Sequence, residues 1–218
     1  MTVEPLAVAG EPAVRGIWHA ASAADGLVLT HGAGGNMDAP LLVAVAEAFA
    51  ARGVSVLRCD LPYRQSRPSG PPSRRDAARD RAGLAAALAA VRARVPGRLF
   101  VGGHSYGGRM ASMLVADQPT LVAGLLLQSY PLHPPGKPAA LRTAHLSAIR
   151  VPTLFVHDTA DPFATLAELD AARTLIPAPT SLLTVPGGHD LAWSTGHRHR
   201  DLPHTIAAAF LDLLMPAS

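Results

Sequence analysis

The sequence has few of the residues on which several structural classes depend. Cysteine occurs once, at Cys59, so the chain cannot form an internal disulfide. Lysine also occurs once, at Lys137, and the 19 basic residues, nearly all arginine, exceed the 16 acidic residues by only three. Because this excess is too small to indicate nucleic acid as a partner, we expect none.

Long apolar runs are also absent. No segment reaches the roughly 18 uncharged apolar residues that a membrane-spanning helix needs. Glu47 interrupts the most apolar helix-like run, residues 41–51. Residues 1–12 lack the basic and apolar regions of a signal peptide. We therefore expect a soluble cytoplasmic protein that does not bind membranes.

Apolar residues are plentiful, at 49% of 218 positions, which is enough for a sizeable core. The length fits one domain, so we expect residues 1–218 to form a single domain, and the oligomeric state stays open. Short apolar runs predict strands at residues 26–30, 54–58, 98–102, 122–127, 151–156 and 181–185. Longer patterns between and after them predict helices at residues 39–52, 74–94, 106–116, 163–175 and 203–214.

Strands that alternate with helices build parallel sheets. The pattern therefore predicts an α/β protein with a mostly parallel central sheet and helices on both faces. Residues 13–19 are a candidate edge strand, and residues 131–150 are too few for a separate lid domain.

Residues 103–107 read Gly-His-Ser-Tyr-Gly and fit the G-x-S-x-G pattern of a nucleophile elbow. A predicted strand runs into this motif and a predicted helix leaves it, while the two glycines permit a tight turn without side-chain collision. We therefore predict that Ser105 is the nucleophile of a serine hydrolase with the α/β-hydrolase fold, its hydroxyl exposed at a helix N-terminus. The alternative is an ordinary serine in a glycine-rich turn.

A serine nucleophile needs a base, and the base needs an orienting acid. In this fold the acid and then the base follow the serine along the chain. Asp161, after strand 151–156, is the predicted acid, with Asp158 as its competitor and helix capping as its alternative role. His189, in a glycine-flanked loop after strand 181–185, is the predicted base.

Backbone N–H groups usually bind the oxyanion that forms in acyl transfer. One predicted donor is Tyr106, the residue after the nucleophile, and the other is Gly32 or Ala33 in the loop His-Gly-Ala-Gly-Gly at residues 31–35. The alternative, a phosphate cradle, requires a G-x-G-x-x-G spacing that this loop does not have. A triad of this kind needs no cofactor.

A metal site is the alternative role for His197, His199 and His204, which stand close together near the last predicted helix. This polar segment offers no obvious fourth ligand, so we predict no metal.

Seven segments resemble one family, in order, over about residues 26–195. They are residues 31–35, 58–63, 102–110, 130–138, 141–146, 161–163 and 188–191, and Tyr-Pro-Leu-His-Pro-Pro-Gly-Lys-Pro at 130–138 discriminates most. The sequence resembles the α/β-hydrolase-like family of the testis-expressed and NSL-complex-subunit type, with its small bacterial members. The resemblance implies the fold and a serine-type triad but no substrate. Tyr106 departs from the family's usual Met, and Gly187 and Gly188 replace an acidic turn before the base.

Five residues are candidates for substrate contact: His31, His104, His133, Lys137 and Arg142. A stiffened loop, in which Lys137 and Arg142 cap carbonyls or pair with Asp60, is equally compatible with the prolines of segment 131–138. Six arginines between residues 64 and 81, with Asp76 and Asp80 among them, predict either a solvated helix face or a basic rim that attracts anions.

Together these features predict a carboxylic-ester hydrolase that acts on a small-molecule substrate. With no lid domain expected, a small or exposed acyl group is favoured over interfacial lipase activity. A non-catalytic interaction module on the same fold is the second hypothesis, and a thioesterase or peptidase is the third.

Overall fold

The structure is a computed structural model, and it describes residues 2–191 and 200–215. Within these residues there are eight strands: β1 (Thr2–Val8), β2 (Val14–Ala20), β3 (Gly26–Thr30), β4 (Ser55–Cys59), β5 (Leu99–His104), β6 (Gly124–Gln128), β7 (Thr153–Asp158) and β8 (Thr180–Val185). They form one sheet in the order β1-β2-β4-β3-β5-β6-β7-β8. Strands β3 to β8 run parallel, and β2 is antiparallel to both of its neighbours.

Helices cover both faces of the sheet, as predicted. They are α1 (Pro40–Ala51), α2 (Pro62–Ser66), α3 (Asp76–Arg92), α4 (Tyr106–Asp117), α5 (Leu166–Arg173) and α6 (Leu202–Leu213), with a 3-10 turn at Leu146–Ala148. Alternate residues of β3 divide between two cores, since Leu27 packs with α1 and α6 while Val28 packs with α3 and α4. Phe49 and Phe210 join α1 to α6 edge to face, with ring centroids 5.7 Å apart.

The predicted elements all occur, and their ends differ from the structure by at most three residues. The expected edge strand at 13–19 is β2, but it does not lie at the edge, because β1 pairs with its outer side. Strand β1 escaped prediction because Leu6 is its only buried residue, so it has no apolar alternation to read. Within residues 2–191 and 200–215, no helix is long and apolar enough to cross a membrane.

The parallel strands bring four loops to one edge of the sheet. These loops follow the carboxyl ends of β3, β5, β7 and β8, and they comprise residues 31–35, 105, 159–163 and 186–191. In open α/β sheets this edge is where ligands bind. Residues 131–150, which connect β6 to β7 through loops and the 3-10 turn, contain no separate lid.

Candidate active site

Ser105 forms the turn between β5 and α4. Its backbone has φ 49° and ψ −114°, a conformation that residues other than glycine rarely adopt. The turn is held because Ser105 N–H donates to the carbonyl of Gln128 at 2.8 Å. A Cβ at Gly103 would lie 2.7 Å from the Thr30 carbonyl oxygen, and one at Gly107 would collide with the end of β3. The predicted steric reason for both glycines is therefore confirmed.

The structure brings the side chains of Ser105, His189 and Asp161 into one hydrogen-bonded chain. Ser105 Oγ lies 2.8 Å from His189 Nε2, and His189 Nδ1 lies 2.7 Å from Asp161 Oδ2. Because a carboxylate only accepts, Nδ1 carries the proton, and Nε2 is left to accept the hydroxyl proton of Ser105. This geometry can generate an activated hydroxyl.

Asp161 is fully buried at its carboxylate and is held as the anion. Burial by itself raises its pKa, but hydrogen bonds from His189 and from the backbone N–H of Phe163 outweigh burial and lower the pKa below its usual value. The predicted alternative, helix capping by Asp161, is wrong. Helix α5 is capped by Thr165, which forms a reciprocal capping box with Glu168.

Asp158, the competing acid, does not reach the histidine. Its Oδ1 accepts a hydrogen bond of 2.7 Å from the N–H of Ala160, and its Oδ2 has no partner among the described residues. Burial raises the pKa of this carboxyl. Asp158 ends β7, so its side chain is directed by the strand, whereas Asp161 is directed by the loop beyond it.

Two further histidines, His104 and His31, support the loops around Ser105. His104 Nε2 donates to the backbone carbonyl of His189 at 2.8 Å, and burial lowers the pKa of His104 to about 4, so its ring is neutral near pH 7. His31 donates from Nδ1 to the carbonyl of Gly32 at 2.8 Å and accepts from the N–H of Leu61 at Nε2. Both line a cavity beside the serine, with ring nitrogens committed to backbone groups.

The loop at residues 31–35 is anchored through its carbonyl oxygens. Tyr63 Oη donates to the carbonyls of Gly32 at 3.2 Å and Ala33 at 2.9 Å. In a trans peptide the carbonyl and the following N–H point in opposite directions, so the N–H of Ala33 points away from Tyr63. The Ser105 carbonyl accepts from Arg109 inside α4, which turns the N–H of Tyr106 out of the helix N-terminus. Neither N–H donates to another described residue.

The sequence profile of the Alpha/beta hydrolase domain family matches residues 23–212. This chain belongs to that family. Among solved structures, it is similar to a dienelactone hydrolase from Anabaena variabilis, with a TM-score of 0.77 and 20% identity over 97% of each chain. It is also similar to an α/β serine hydrolase without lid from Xanthomonas campestris, with a TM-score of 0.76 and 18% identity over 99% of this chain and 96% of that one.

A third similar structure is Est1E from Butyrivibrio proteoclasticus, with a TM-score of 0.75 and 15% identity over 96% of this chain and 98% of that one. At these identities the likeness shows the fold alone. The family and the three structures therefore support the fold class, an α/β hydrolase with a mostly parallel sheet covered by helices.

The arginine-rich segment of the α/β hydrolase is not simply a solvated helix face. Arg64 is buried and donates to the carbonyls of Ala33 and Gly35, and Asp80 has no exposed surface. Asp80 accepts from Tyr106 Oη at 2.8 Å and from the N–H of Tyr63 at 3.0 Å. The interpretation of Asp80 as an exposed partner of arginines is therefore wrong.

A sequence signal for Asp80 exists in the spacing of α3. Asp80 precedes Leu84, Leu88 and Val91 at helical intervals, so it continues the apolar stripe of the helix. An aspartate in such a stripe points into the protein. Two ion pairs, Arg67 with Asp76 and Arg81 with Asp117, do agree with the prediction of a solvated helix face for this segment.

Ser105 lies between two cavities. The first, of about 630 Å³, is lined largely by apolar groups that include Leu41, Leu42 and Phe163, and we call it the apolar cavity. The second, of about 680 Å³, is lined by Tyr106, Arg109 and Arg142 among others, and we call it the basic cavity. Ala33 and Ser105 line both cavities, so a ligand at the serine can extend into either.

The other candidate substrate residues lie elsewhere. Lys137 is exposed and lines neither cavity, and His133 is buried with Nδ1 donating to the carbonyl of Pro134 at 2.9 Å. The alternative pairing of Lys137 or Arg142 with Asp60 is wrong, because Asp60 pairs with Arg15 at 2.6 Å.

Of the three histidines weighed as a metal site, His197 and His199 lie outside the described residues. His204 is exposed on α6. In the part of the chain that the structure describes, no cluster of three histidine, cysteine or acidic residues is arranged to hold a metal ion.

Proposed function

We propose that this α/β hydrolase is a serine hydrolase that cleaves a carboxylic ester with a small or exposed acyl group. The observation that carries the proposal is the hydrogen-bonded chain from Ser105 through His189 to Asp161, with spacings of 2.8 and 2.7 Å. Such a chain, in a pocket at the ligand-binding edge of the sheet, is the arrangement that activates a serine hydroxyl.

In the proposed reaction, Ser105 Oγ attacks the ester carbonyl carbon while His189 Nε2 takes the hydroxyl proton. Asp161 holds the imidazole in the required tautomer and stabilises the imidazolium. The N–H groups of Ala33 and Tyr106 stabilise the negative charge on the carbonyl oxygen, and Gly32 supplies a carbonyl by which that loop is held.

The tetrahedral adduct then collapses, and the bond to the leaving oxygen breaks. His189 returns its proton to the departing alcohol, and an acyl ester remains on Ser105. Water attacks this ester, His189 takes a proton from the water and passes it to Ser105 Oγ, and the acid is released. Apart from the substrate and this water, the proposed steps use only groups of the chain.

The names of two structural neighbours, a dienelactone hydrolase and a serine hydrolase without lid, support this proposal.

We also propose that the chain is of the testis-expressed and NSL-complex-subunit type. The segment that carries this resemblance is packed as a unit, since Tyr130 Oη donates to the carbonyl of Arg142 at 3.1 Å. One continuous sheet supports a single domain over residues 1–218.

A fluorophosphonate probe and short p-nitrophenyl esters test the proposal. We expect the wild-type protein to be labelled and to hydrolyse the esters. Ser105→Ala should abolish labelling and lower kcat by at least about 10³-fold, because the nucleophile and its base act as a unit. Labelling that persists in Ser105→Ala would overturn the assignment.

Ser129→Ala is the matched control. Ser129 directly follows the neighbouring strand β6 and shares the φ of 49°, but its buried hydroxyl has no partner among the described residues. This variant should keep both labelling and turnover. A wild-type protein that no serine-directed probe labels, and that co-purifies with a stable partner, would favour the non-catalytic module instead. Substrate profiling separates esters from thioesters and peptides.

A further inference from the structure

Arginine side chains without acidic partners line the basic cavity next to Ser105. Arg109 lies on α4, Arg142 lies in the loop after β6, and the exposed Arg74 stands at the rim. None of the described residues that line this cavity is acidic. The cavity is therefore positively charged on the side where the serine is reached.

The Nε atoms of Arg109 and Arg173 are both buried without a hydrogen-bond partner among the described residues. Arg173 nevertheless pairs with an aspartate, since its Nη2 lies 2.6 Å from Asp170 Oδ1. No such pair involves Arg109 or Arg142 within residues 2–191 and 200–215. Arg109 is half-buried, and an anion in the cavity would give its unpaired Nε–H a partner that the described residues do not supply.

Arg142 adds a second charge to the same cavity. Burial, followed by the positive charge of Arg109, lowers the pKa of Arg142. The Nη1 atom of Arg142 lies 3.4 Å from the carbonyl oxygen of Pro131, and this distance is too long for a strong hydrogen bond. Tyr130 and His145 also face this region, and burial keeps both neutral near pH 7 by raising the pKa of Tyr130 and lowering that of His145. Nothing on these neighbours offsets the two guanidinium charges.

We propose that the basic cavity binds an anionic oxygen group of the substrate, a carboxylate or a phosphate, while the ester bond lies at Ser105. This inference rests on the proposed function and names the substrate class of the same site. The planar guanidinium group presents a fork of N–H donors that matches the oxygen pair of such an anion. The apolar cavity on the other side of Ser105 takes the uncharged part of the substrate.

The position of Arg109 indicates how far the anionic group lies from the ester carbonyl of the substrate. Arg109 follows Ser105 by four residues on α4, a rise of about 6 Å along the helix axis. A spacer of a few bonds between the ester carbonyl and the anionic group therefore suffices. Long-chain neutral esters lack the group that this cavity is built to bind.

Matched ester pairs test the inference. The first pair is p-nitrophenyl hemisuccinate against p-nitrophenyl pentanoate, with the carboxylate on the acyl side. The second is meta-carboxyphenyl butanoate against phenyl butanoate, with the carboxylate on the leaving group. A phosphonopropionate ester replaces the hemisuccinate to distinguish phosphate from carboxylate. We expect kcat/KM for at least one anionic ester to exceed that of its neutral partner by about tenfold or more.

Arg109→Gln should reduce this preference by about tenfold, and Arg109→Lys should retain part of it, because the charge remains but the fork is lost. Arg52→Gln is the matched control, since it removes the same charge from the exposed end of α1, at the opposite edge of the sheet. It should leave the preference unchanged. Arg142→Gln provides a second test should Arg109→Gln fail to fold, and thermal unfolding checks each variant.

The outcomes separate the inference from the function on which it rests. Turnover of neutral esters with no preference for any anionic ester overturns the inference and leaves the serine hydrolase standing. An anionic preference that Arg109→Gln and Arg142→Gln do not reduce also overturns it. Absence of both probe labelling and ester turnover in the wild-type protein refutes the proposed function itself.

Discussion

Tyr106 Oη donates a hydrogen bond of 2.8 Å to the buried carboxylate of Asp80. The other carboxylate oxygen accepts from the N–H of Tyr63 at 3.0 Å, and Tyr63 Oη in turn holds the carbonyl of Ala33 at 2.9 Å. Asp80 thereby connects the two segments whose N–H groups flank Ser105. It contacts neither the serine nor the histidine, so we assign it a positioning role.

Asp80→Asn should destabilise the protein and slow the reaction. An amide offers one acceptor oxygen where the carboxylate offers two, so one of the two donors loses its partner in a buried place. We expect the free energy of unfolding, measured with urea, to fall by about 1–3 kcal/mol. Ester hydrolysis should show a lower kcat with a smaller change in KM, because the proposed oxyanion donors, the N–H groups of Ala33 and Tyr106, would lose their alignment.

The matched control is Asp117→Asn, at the end of α4. Asp117 is exposed and pairs with Arg81 at 3.3 Å, and exposed pairs of this kind contribute between about 0 and 1 kcal/mol. Equal losses of unfolding free energy in the two variants would show that burial of the Asp80 carboxylate does not increase its contribution to stability. An Asp80→Asn protein with full kcat would remove its positioning role.

Asp161→Asn should lower kcat by about 10⁴-fold with little change in the fold. The amide cannot hold the Nδ1–H tautomer of His189, so Nε2 no longer accepts the proton of Ser105. Asp158→Asn is the matched control, because Asp158 is the last residue of the strand that Asp161 follows, and its carboxylate accepts a hydrogen bond from the N–H of Ala160 instead of from His189. Steady-state kinetics of the two variants decide between the acids, and a larger loss in Asp158→Asn would contradict the assignment.

The elbow and its partners could be predicted because their signals are local. Gly103 and Gly107 bracket Ser105, and the order of acid and base along the chain restricts each to one loop. Strands β3 to β7 were readable because they are buried on both faces and so are largely apolar. Strand β1, with a single buried residue, left no apolar pattern.

The supports of the site could not be predicted in the same way. Asp80 and Arg64 belong to residue types that usually stay in solvent, and their partners are distant in the chain. Arg64, for example, binds the carbonyl of Ala33, 31 positions earlier. His104, a candidate for substrate contact, donates instead from its ring to the backbone carbonyl of His189, 85 positions later. Composition and spacing along the chain do not show which distant backbone groups a polar side chain will contact in the folded protein.

Stability should fall as the solution is acidified from pH 6.5 toward pH 4. Burial lowers the pKa of His19, His104 and His145 to about 4 from a usual 6.5. Between these values the unfolded chain binds more protons than the folded one, so stability rises with pH and is lost as pH falls. Urea midpoints measured at pH 7.5, 6 and 5 should record the decrease.

His19→Gln should make this pH dependence shallower. His19 Nε2 accepts a hydrogen bond of 2.9 Å from Arg58 Nε, which a glutamine oxygen can accept without titrating. His204→Gln is the matched control, because His204 is exposed on α6. Identical slopes for wild type and His19→Gln would mean that this buried imidazole does not couple protonation to unfolding.

Gly107→Ala should destabilise the protein strongly, whereas Gly34→Ala should not. The added Cβ at Gly107 would meet the carbonyl oxygens of Thr30, the last residue of β3, and of His31, which follows it, and backbone there cannot move without disturbing the sheet. We expect a loss of about 1–3 kcal/mol or more in the free energy of unfolding. A Cβ at Gly34 meets nothing within 4 Å, so urea unfolding of that variant should match the wild type. Similar unfolding midpoints for the two variants would show that close backbone approach at the elbow is not what requires glycine.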